Sequence, residues 1–268
     1  MADAELQPGP LIIIGGHEDK QGSRTILKEV ARRAEGGRLV VATIASGIPD
    51  EYFREYRRIF GELGIEDVTE LYVDERSDAF DDAASNPLVD AAGVFFTGGD
   101  QLRISSQIGD TPIEHRLREL HERGGVIAGT SAGASVVGET MLVAGSNGDS
   151  PRIGDIHVGP GLALVRDVII DQHFAERGRI GRLLGAVALN PRMLGIGVDE
   201  DTAVVLEDGC FSVIGAGGVT VIDASEVTHS NIAEASPERA LSMHGVRVHV
   251  LSAGDNFDLT RRTPATAP

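Results

Sequence analysis

Short, wholly apolar runs that end in glycine constrain this chain more than any other feature. Leu11-Ile12-Ile13-Ile14 runs into Gly15-Gly16, and Val94 to Thr97 runs into Gly98-Gly99. Val126 to Gly129 opens a Gly129-Thr130-Ser131-Ala132-Gly133 turn. Four or five apolar residues without alternation predict strands buried on both faces, as in a parallel sheet covered by helices. Leu39 to Ala45 supplies a further buried strand, and Val68 to Val73 is expected to be a strand as well. Helical stripes lie between them: Ile26 and Val30, then Tyr52, Tyr56, Ile59, Phe60 and Leu63 behind Pro49, then Ile113 to Arg123. Their apolar residues repeat at three and four, and a proline suits a helix start. Glycine is abundant, 34 of 268 residues, but it is spread through strand ends rather than gathered in a low-complexity tract, which points to tight turns and close backbone approach.

The second half changes character. Val168 to Asp171 and Leu194 to Val198 predict strands, with a helix from Arg179 to Leu189 between them. Ala203 to Leu206, Phe211 to Ile214 and Val219 to Ile222 are short apolar segments separated by Asp208-Gly209 and by Gly215 to Gly218. Such punctuation predicts hairpins, hence an antiparallel extension, with Val246 to Leu251 as the last strand. The fold class expected is therefore α/β: a mostly parallel sheet flanked by helices on both faces, with a C-terminal antiparallel hairpin extension. Residues 1–268 are expected to form a single domain, with 1–9 and 261–268 as flexible tails.

Composition removes whole classes of function. The chain carries 24 basic and 41 acidic side chains, a formal net charge of −17, and no basic stripe, which argues against nucleic-acid binding. No apolar run approaches the ~18 residues of a membrane span, and the first residues, MADAELQPGP, carry no secretory pattern. Cys210 is the single cysteine, so neither an intramolecular disulfide nor a cysteine-built zinc site is available. A cytoplasmic location is the expectation.

In parallel sheets, ligands bind beyond the carboxyl ends of the strands, and the chemistry-bearing residues cluster there. Gly129 to Gly133 has the Gly-x-Ser-x-Gly spacing of a strand-to-helix elbow, which lifts Ser131 above the sheet. On pattern alone, an anion-binding loop explains the same residues. A serine nucleophile needs a base and an orienting acid. Of eight histidines, His173 alone closes a predicted parallel strand at that edge, after Ile169-Ile170-Asp171-Gln172. Asp199-Glu200-Asp201 closes another, after Gly195-Ile196-Gly197-Val198. The three candidates are expected on one edge of one sheet, in the order Ser-His-acid, which differs from that of α/β-hydrolases. The N–H groups of Ala132 and Gly99 are the expected donors to an oxyanion. Arg177-Gly178-Arg179-Ile180-Gly181-Arg182 places cations at a helix start, against its dipole. With Ile180, Leu183, Leu184 and Val187 as the buried stripe, Arg179 and Arg182 fall on the far face, as ligands for a carboxylate or as a solvated pair.

Gly129-Thr130-Ser131-Ala132-Gly133-Ala134-Ser135, Asp171-Gln172-His173-Phe174, Arg177-Gly178-Arg179 and Gly197-Val198-Asp199-Glu200 together resemble the cyanophycinase family, serine peptidases grouped with aspartyl dipeptidase. The resemblance runs from Ile12 to Leu259. It implies a class I glutamine amidotransferase-like (flavodoxin-like) fold, a Ser131-His173-Glu200 triad, and a homodimer. It also implies substrate-pocket roles for Gln101, Asp171, Gln172, Arg177, Arg179 and Arg182. The implied activity is serine-type exopeptidase cleavage of cyanophycin, an arginine-bearing polyaspartate, or of related β-aspartyl-arginine peptides, to β-Asp-Arg dipeptides. No metal and no cofactor are required by that chemistry. An aspartyl or isoaspartyl dipeptidase and a non-catalytic polymer-binding relative are the alternatives. One departure is visible: His17 stands where a small residue is expected.

Overall fold

A computed structural model describes residues 7–145, 151–234, 236 and 238–265. The first half builds β1 (Leu11–Ile14), α1 (Thr25–Arg33), β2 (Arg38–Ala42), α2 (Pro49–Glu62), β3 (Val68–Leu71) and β4 (Ala91–Phe96). It continues through α3 (Gln101–Ile108), α4 (Pro112–Glu122), β5 (Val126–Thr130) and the single turn α5 (Ala132–Ser135). A hairpin of β6 (Thr140–Ala144) and β7 (His157–Pro160) follows, then β8 (Val168–Gln172), α6 (Ile180–Leu189) and β9 (Leu194–Val198). The remainder is β-structure: β10 (Thr202–Glu207), β11 (Cys210–Gly215), β12 (Val219–Asp223), β13 (His229–Ser230), β14 (Met243–His244), β15 (Arg247–Leu251), β16 (Asn256–Asp258) and β17 (Thr263–Ala265).

The strands form two main sheets rather than one. The larger has nine strands in the order β17-β16-β11-β10-β1-β5-β4-β2-β3. From β1 to β3 its neighbours run parallel, and from β1 outward to β17 they run antiparallel. The smaller has four strands in the order β15-β12-β9-β8, of which only β8 and β9 are parallel. Ser131 therefore leaves one sheet and His173 and Glu200 leave the other, so the expectation of one shared sheet is corrected. The reason lies in the segments that cross between sheets. Asp199 to Asp201 carries the chain from β9 to β10, and Gly215 to Gly218 carries it from β11 to β12. The expected β11–β12 hairpin accordingly does not form: β12 pairs with β9 and β15 instead.

Alternate residues of each strand feed opposite layers, as the pleat requires. Ile12 and Ile14 pack with Leu27 and Val30 of α1 and with Tyr56, Ile59 and Phe60 of α2. Leu11 and Ile13 face the other way, into a cluster shared with Ile104 of α3, Leu117 of α4, and Ile170, Ile196 and Val221 of the smaller sheet. Helix α6 covers the far side of that sheet through Leu183, Ala186 and Val187. One continuous apolar cluster thus joins elements of both sheets.

Part of the expected C-terminal tail is ordered: Thr263–Ala265 pairs with β16, which itself pairs with β11. Phe257 explains the anchoring. It is fully buried and stacks on Phe211 with ring centroids 5.5 Å apart. At the other end, Gly9 is buried and donates its N–H to the carbonyl of His121. Residues 1–6 and 266–268 of the expected tails lie outside the described residues. No helix among the described residues is long and apolar enough to cross a membrane.

Emptying the Phe257 site removes an aromatic ring from a packed core. Phe257→Ala is expected to cost about 3–5 kcal/mol, read as a lower urea midpoint at unchanged slope. An unchanged midpoint would show that β16 and β17 lie outside the cooperative unit.

Candidate active site

Ser131 sits where β5 gives way to α5, with φ 55° and ψ −108°, outside the regions that a side chain prefers. Small neighbours allow this turn. A Cβ on Gly129 would lie 2.2 Å from the Gly133 carbonyl oxygen, and one on Gly133 would lie 2.5 Å from Phe96 Cβ. The following helix is only four residues long, so its macrodipole contributes little and individual N–H groups carry the local positive potential. Among the described residues, the N–H groups of Ala132 and Gly99 donate to no backbone acceptor outside regular structure. Gly99 adopts φ 144° where a Cβ would lie 2.0 Å from the Ala45 carbonyl oxygen, so only glycine brings that backbone close.

The three residues from two sheets meet in one row. Ser131 Oγ lies 3.0 Å from His173 Nε2, and His173 Nδ1 lies 2.6 Å from Glu200 Oε1. An ionised carboxylate only accepts, so Nδ1 carries the ring proton and Nε2 is left to accept from the serine hydroxyl. His173 is held from its main chain as well: its N–H donates to the Gly15 carbonyl at 2.8 Å, and its backbone has φ 47°. The flanking acids do other work. Asp199 accepts from the N–H groups of Ala175 and Gly218, and Asp201 accepts from that of Asp19. Glu200 alone of the three faces the imidazole.

Electrostatics favour a neutral imidazole beside a charged carboxylate. Burial lowers the affinity of His173 for a second proton below the ordinary imidazole value; Glu200 opposes this and Arg177 adds to it. Burial by itself would raise the Glu200 carboxyl, but the hydrogen bonds from His173 and His17 outweigh it and hold the group below the usual carboxylate range.

The row opens on a cleft of roughly 740 Å³. Gln101, Gln172, Arg177, Arg179 and Arg182 line it, together with Gly98, Gly99, Tyr52 and Tyr56. A larger groove of about 930 Å³ lies at Gly36–Arg38 and Asp90 and contains none of the candidate residues. Asp171 sits behind the wall, almost completely buried. Arg182 grips it through Nε at 2.7 Å and through Nη2, and Arg179 reaches it at 3.3 Å and Gln172 Oε1 at 2.9 Å. Both arginines are thus buried, not placed on the outer face of α6, and Ile180, expected in the stripe, is half exposed. A buried carboxylate at the end of β8 draws them inward because bidentate, charge-assisted pairing offsets their desolvation. Burial still brings the Arg179 guanidinium down to about 10, against the pull of Asp171. Gln101 donates to the Leu142 carbonyl at 3.2 Å, which ties the cleft to β6.

Glu18 is a residue that the sequence reading misses, although it stands two positions after the Gly15-Gly16 strand end that marks the site. Its buried carboxylate accepts from Tyr56 Oη at 2.5 Å and from Thr130 Oγ1 at 2.6 Å, the residue before the serine.

Curated relatives share this sequence over almost its whole length. A cyanophycinase from Nostoc sp. is 42% identical over 258 residues, covering 94% of this chain and 86% of the relative. One from Thermosynechococcus vestitus is 39% identical over 255 residues, covering 94% and 79%. Among solved structures, a peptidase from an acI-B1 Actinobacterium superposes with a TM-score of 0.71 at 21% identity, over 95% of this chain and 98% of that one, a likeness of fold. The model of Peptidase family S51 matches residues 11–214, and with relatives of this similarity over 94% of its length the chain belongs to that peptidase family.

Proposed function

We propose that this chain is a cyanophycinase acting through Ser131, His173 and Glu200. The observation that carries the reaction type is the hydrogen-bonded row from serine to carboxylate at the mouth of the cleft. The cyanophycinase relatives support the substrate class, a polyaspartate backbone bearing arginine on its side-chain carboxyls, or β-aspartyl-arginine peptides derived from it.

Ser131 Oγ attacks the carbonyl carbon of a backbone aspartyl unit while its proton passes to His173 Nε2. Glu200 stabilises the imidazolium so formed. The N–H groups of Ala132 and Gly99 receive the oxyanion. The leaving amine takes the proton from His173 as the C–N bond breaks, leaving an acyl-enzyme. Water then attacks by the same route, its proton going to His173 and returning to Ser131. Cutting from the chain end in this way releases β-Asp-Arg dipeptides.

Each substrate unit carries one carboxylate and one guanidinium, so local pairing outweighs the charge of the whole protein. Arg179 and Arg182 are committed to Asp171, which makes them the rigid basic wall. Arg177 is exposed, lines the cleft and has no ion-pair partner among the described residues, so it is the arginine that meets a substrate carboxylate. Gln101 and Gln172 supply neutral contacts beside it. The same reading includes a single domain with the class I glutamine amidotransferase-like architecture, a homodimer and a cytoplasmic location, all supported by the family resemblance. Nucleic acid is not a partner on this reading, in keeping with the net charge of −17.

Incubated with insoluble cyanophycin, the protein is expected to release soluble β-Asp-Arg, measured by mass spectrometry. Ser131→Ala is expected to lose at least about 10³-fold and Glu200→Gln about 10²–10⁴-fold, the latter through loss of the required tautomer. Release by Ser131→Ala at the wild-type rate would overturn the serine mechanism. Activity confined to short isoaspartyl peptides would move the substrate to the dipeptidase class.

In metal-free buffer, kcat/KM should rise with pH as His173 loses its extra proton. Because burial lowers that transition, the midpoint should fall below the ordinary imidazole value of 6.5, with a plateau above it. A midpoint above 6.5 would contradict the environment described for His173.

A further inference from the structure

His17 replaces the small side chain expected at its position, and the replacement brings a second imidazole to the acid of the row. His17 Nδ1 lies 2.9 Å from Glu200 Oε2, while His173 Nδ1 lies 2.6 Å from Oε1 of the same carboxylate. The two rings meet edge to face with centroids 5.1 Å apart. One ligand atom from each of His17, His173 and Glu200 falls within 4.8 Å of the others. Two imidazoles and a carboxylate with an open fourth position form a donor set suited to zinc. With metal–ligand bonds of about 2.0–2.2 Å, tetrahedral ligands stand about 3.3 Å apart, so His17 rotates and the Glu200 carboxylate, 2.6 Å from His173 Nδ1, draws back to admit the ion. That side chain is 72% exposed and borders the cleft, which gives an ion both an entry path and a flexible ligand.

We propose that His17, His173 and Glu200 form an inhibitory zinc site, in which the ion occupies the space between the two imidazoles and silences Ser131. Three dative bonds form, from one nitrogen of each histidine and one oxygen of Glu200, and water completes the shell. The hydrogen bonds from the two Nδ1 atoms to Glu200 are lost. When the ion takes His173 Nδ1, the proton there moves through solvent to Nε2, so the ring stays neutral and no proton is gained or lost overall. His17 exchanges its proton between ring nitrogens in the same way. Nε2–H of His173 then points at Ser131 Oγ as a donor and has no lone pair to receive the serine proton. Magnesium and calcium prefer oxygen ligands, so this site discriminates against them. The function proposed above uses the same three-residue row, but zinc binding itself does not depend on turnover.

Calorimetry with zinc chloride on the Ser131→Ala protein separates the two claims, since that variant binds without catalysis. One zinc ion per chain is expected, with no comparable heat from magnesium chloride. Adding His17→Ala should weaken zinc at least about tenfold, and His17→Gln, which retains a polar side chain of similar reach, should do the same. In the active protein, zinc should inhibit cyanophycin hydrolysis reversibly on addition of EDTA. The half-inhibiting concentration should rise at least about tenfold in either His17 variant, each compared with its own rate in EDTA. Absence of zinc binding, or equal affinity with and without His17, would overturn the proposal. If the protein proved inactive on cyanophycin, the calorimetric result would still decide it.

Discussion

The end of strand β1 holds the row together through its main chain. Ser131 N–H donates to Ile14, His173 N–H to Gly15 and Asp201 N–H to Gly16, at 3.1, 2.8 and 2.9 Å. Gly15 N–H completes the set by donating to Thr202 at 2.9 Å. These bonds fasten the loop ends of both sheets to Ile14 and the two glycines that follow it. A side chain on Gly15 would meet the Asp199 carbonyl oxygen at 1.9 Å, and one on Gly16 would meet His173 Cε1 at 2.3 Å. Backbone polar groups are obligatory partners wherever they are buried, so this joint cannot relax around an inserted Cβ without losing bonds elsewhere. Ser131, His173 and the residue after Glu200 are thus each held by a main-chain contact to the end of β1, independently of the side-chain hydrogen bonds between them.

A second constraint works on charge. Asp171 is one carboxylate serving two buried arginines, so the local balance behind the cleft is positive in a protein whose overall charge is −17. Removing that carboxylate would leave two buried cations uncompensated, a larger penalty than the pair itself contributes in stability. Arg179 and Arg182 thus give a fixed field through Asp171, while Arg177 is exposed at the cleft and free of that carboxylate. Tyr56 and Thr130 perform the comparable service for the buried Glu18, which borders the same cleft.

Much of this arrangement was legible in the residues. The apolar runs ending in glycine marked β1, β4 and β5, and the Gly-x-Ser-x-Gly spacing marked the elbow, because backbone sterics act locally. The division into two sheets was not legible, since β8 and β9 are parallel and buried like the others, and the crossings at Asp199–Asp201 and Gly215–Gly218 carry no pattern that marks a change of sheet. Helix α3 has just Ile104 and Ile108 buried, too few for a periodic signal, although Asp100 caps it through Leu102 N–H. The arginines of α6 were assigned to the wrong face because periodicity weighs hydrophobicity, whereas here a carboxylate eleven residues before Arg182 decides what is buried. Glu18 escaped for the same reason: its partners, Tyr56 and Thr130, are distant in sequence.

The short strand β17 has a consequence for how the molecule behaves among its own copies. An outermost strand offers unpaired backbone groups along which another chain can add. Here that strand is three residues long and contains Pro264, which has no N–H to offer. At the opposite margin, β3 is four residues long and places Glu70 in its interior. A nine-stranded sheet finished at both borders by such brief and interrupted strands gives little template for end-to-end growth. Pairing of copies through the borders of this larger sheet is thereby disfavoured without closing it into a barrel.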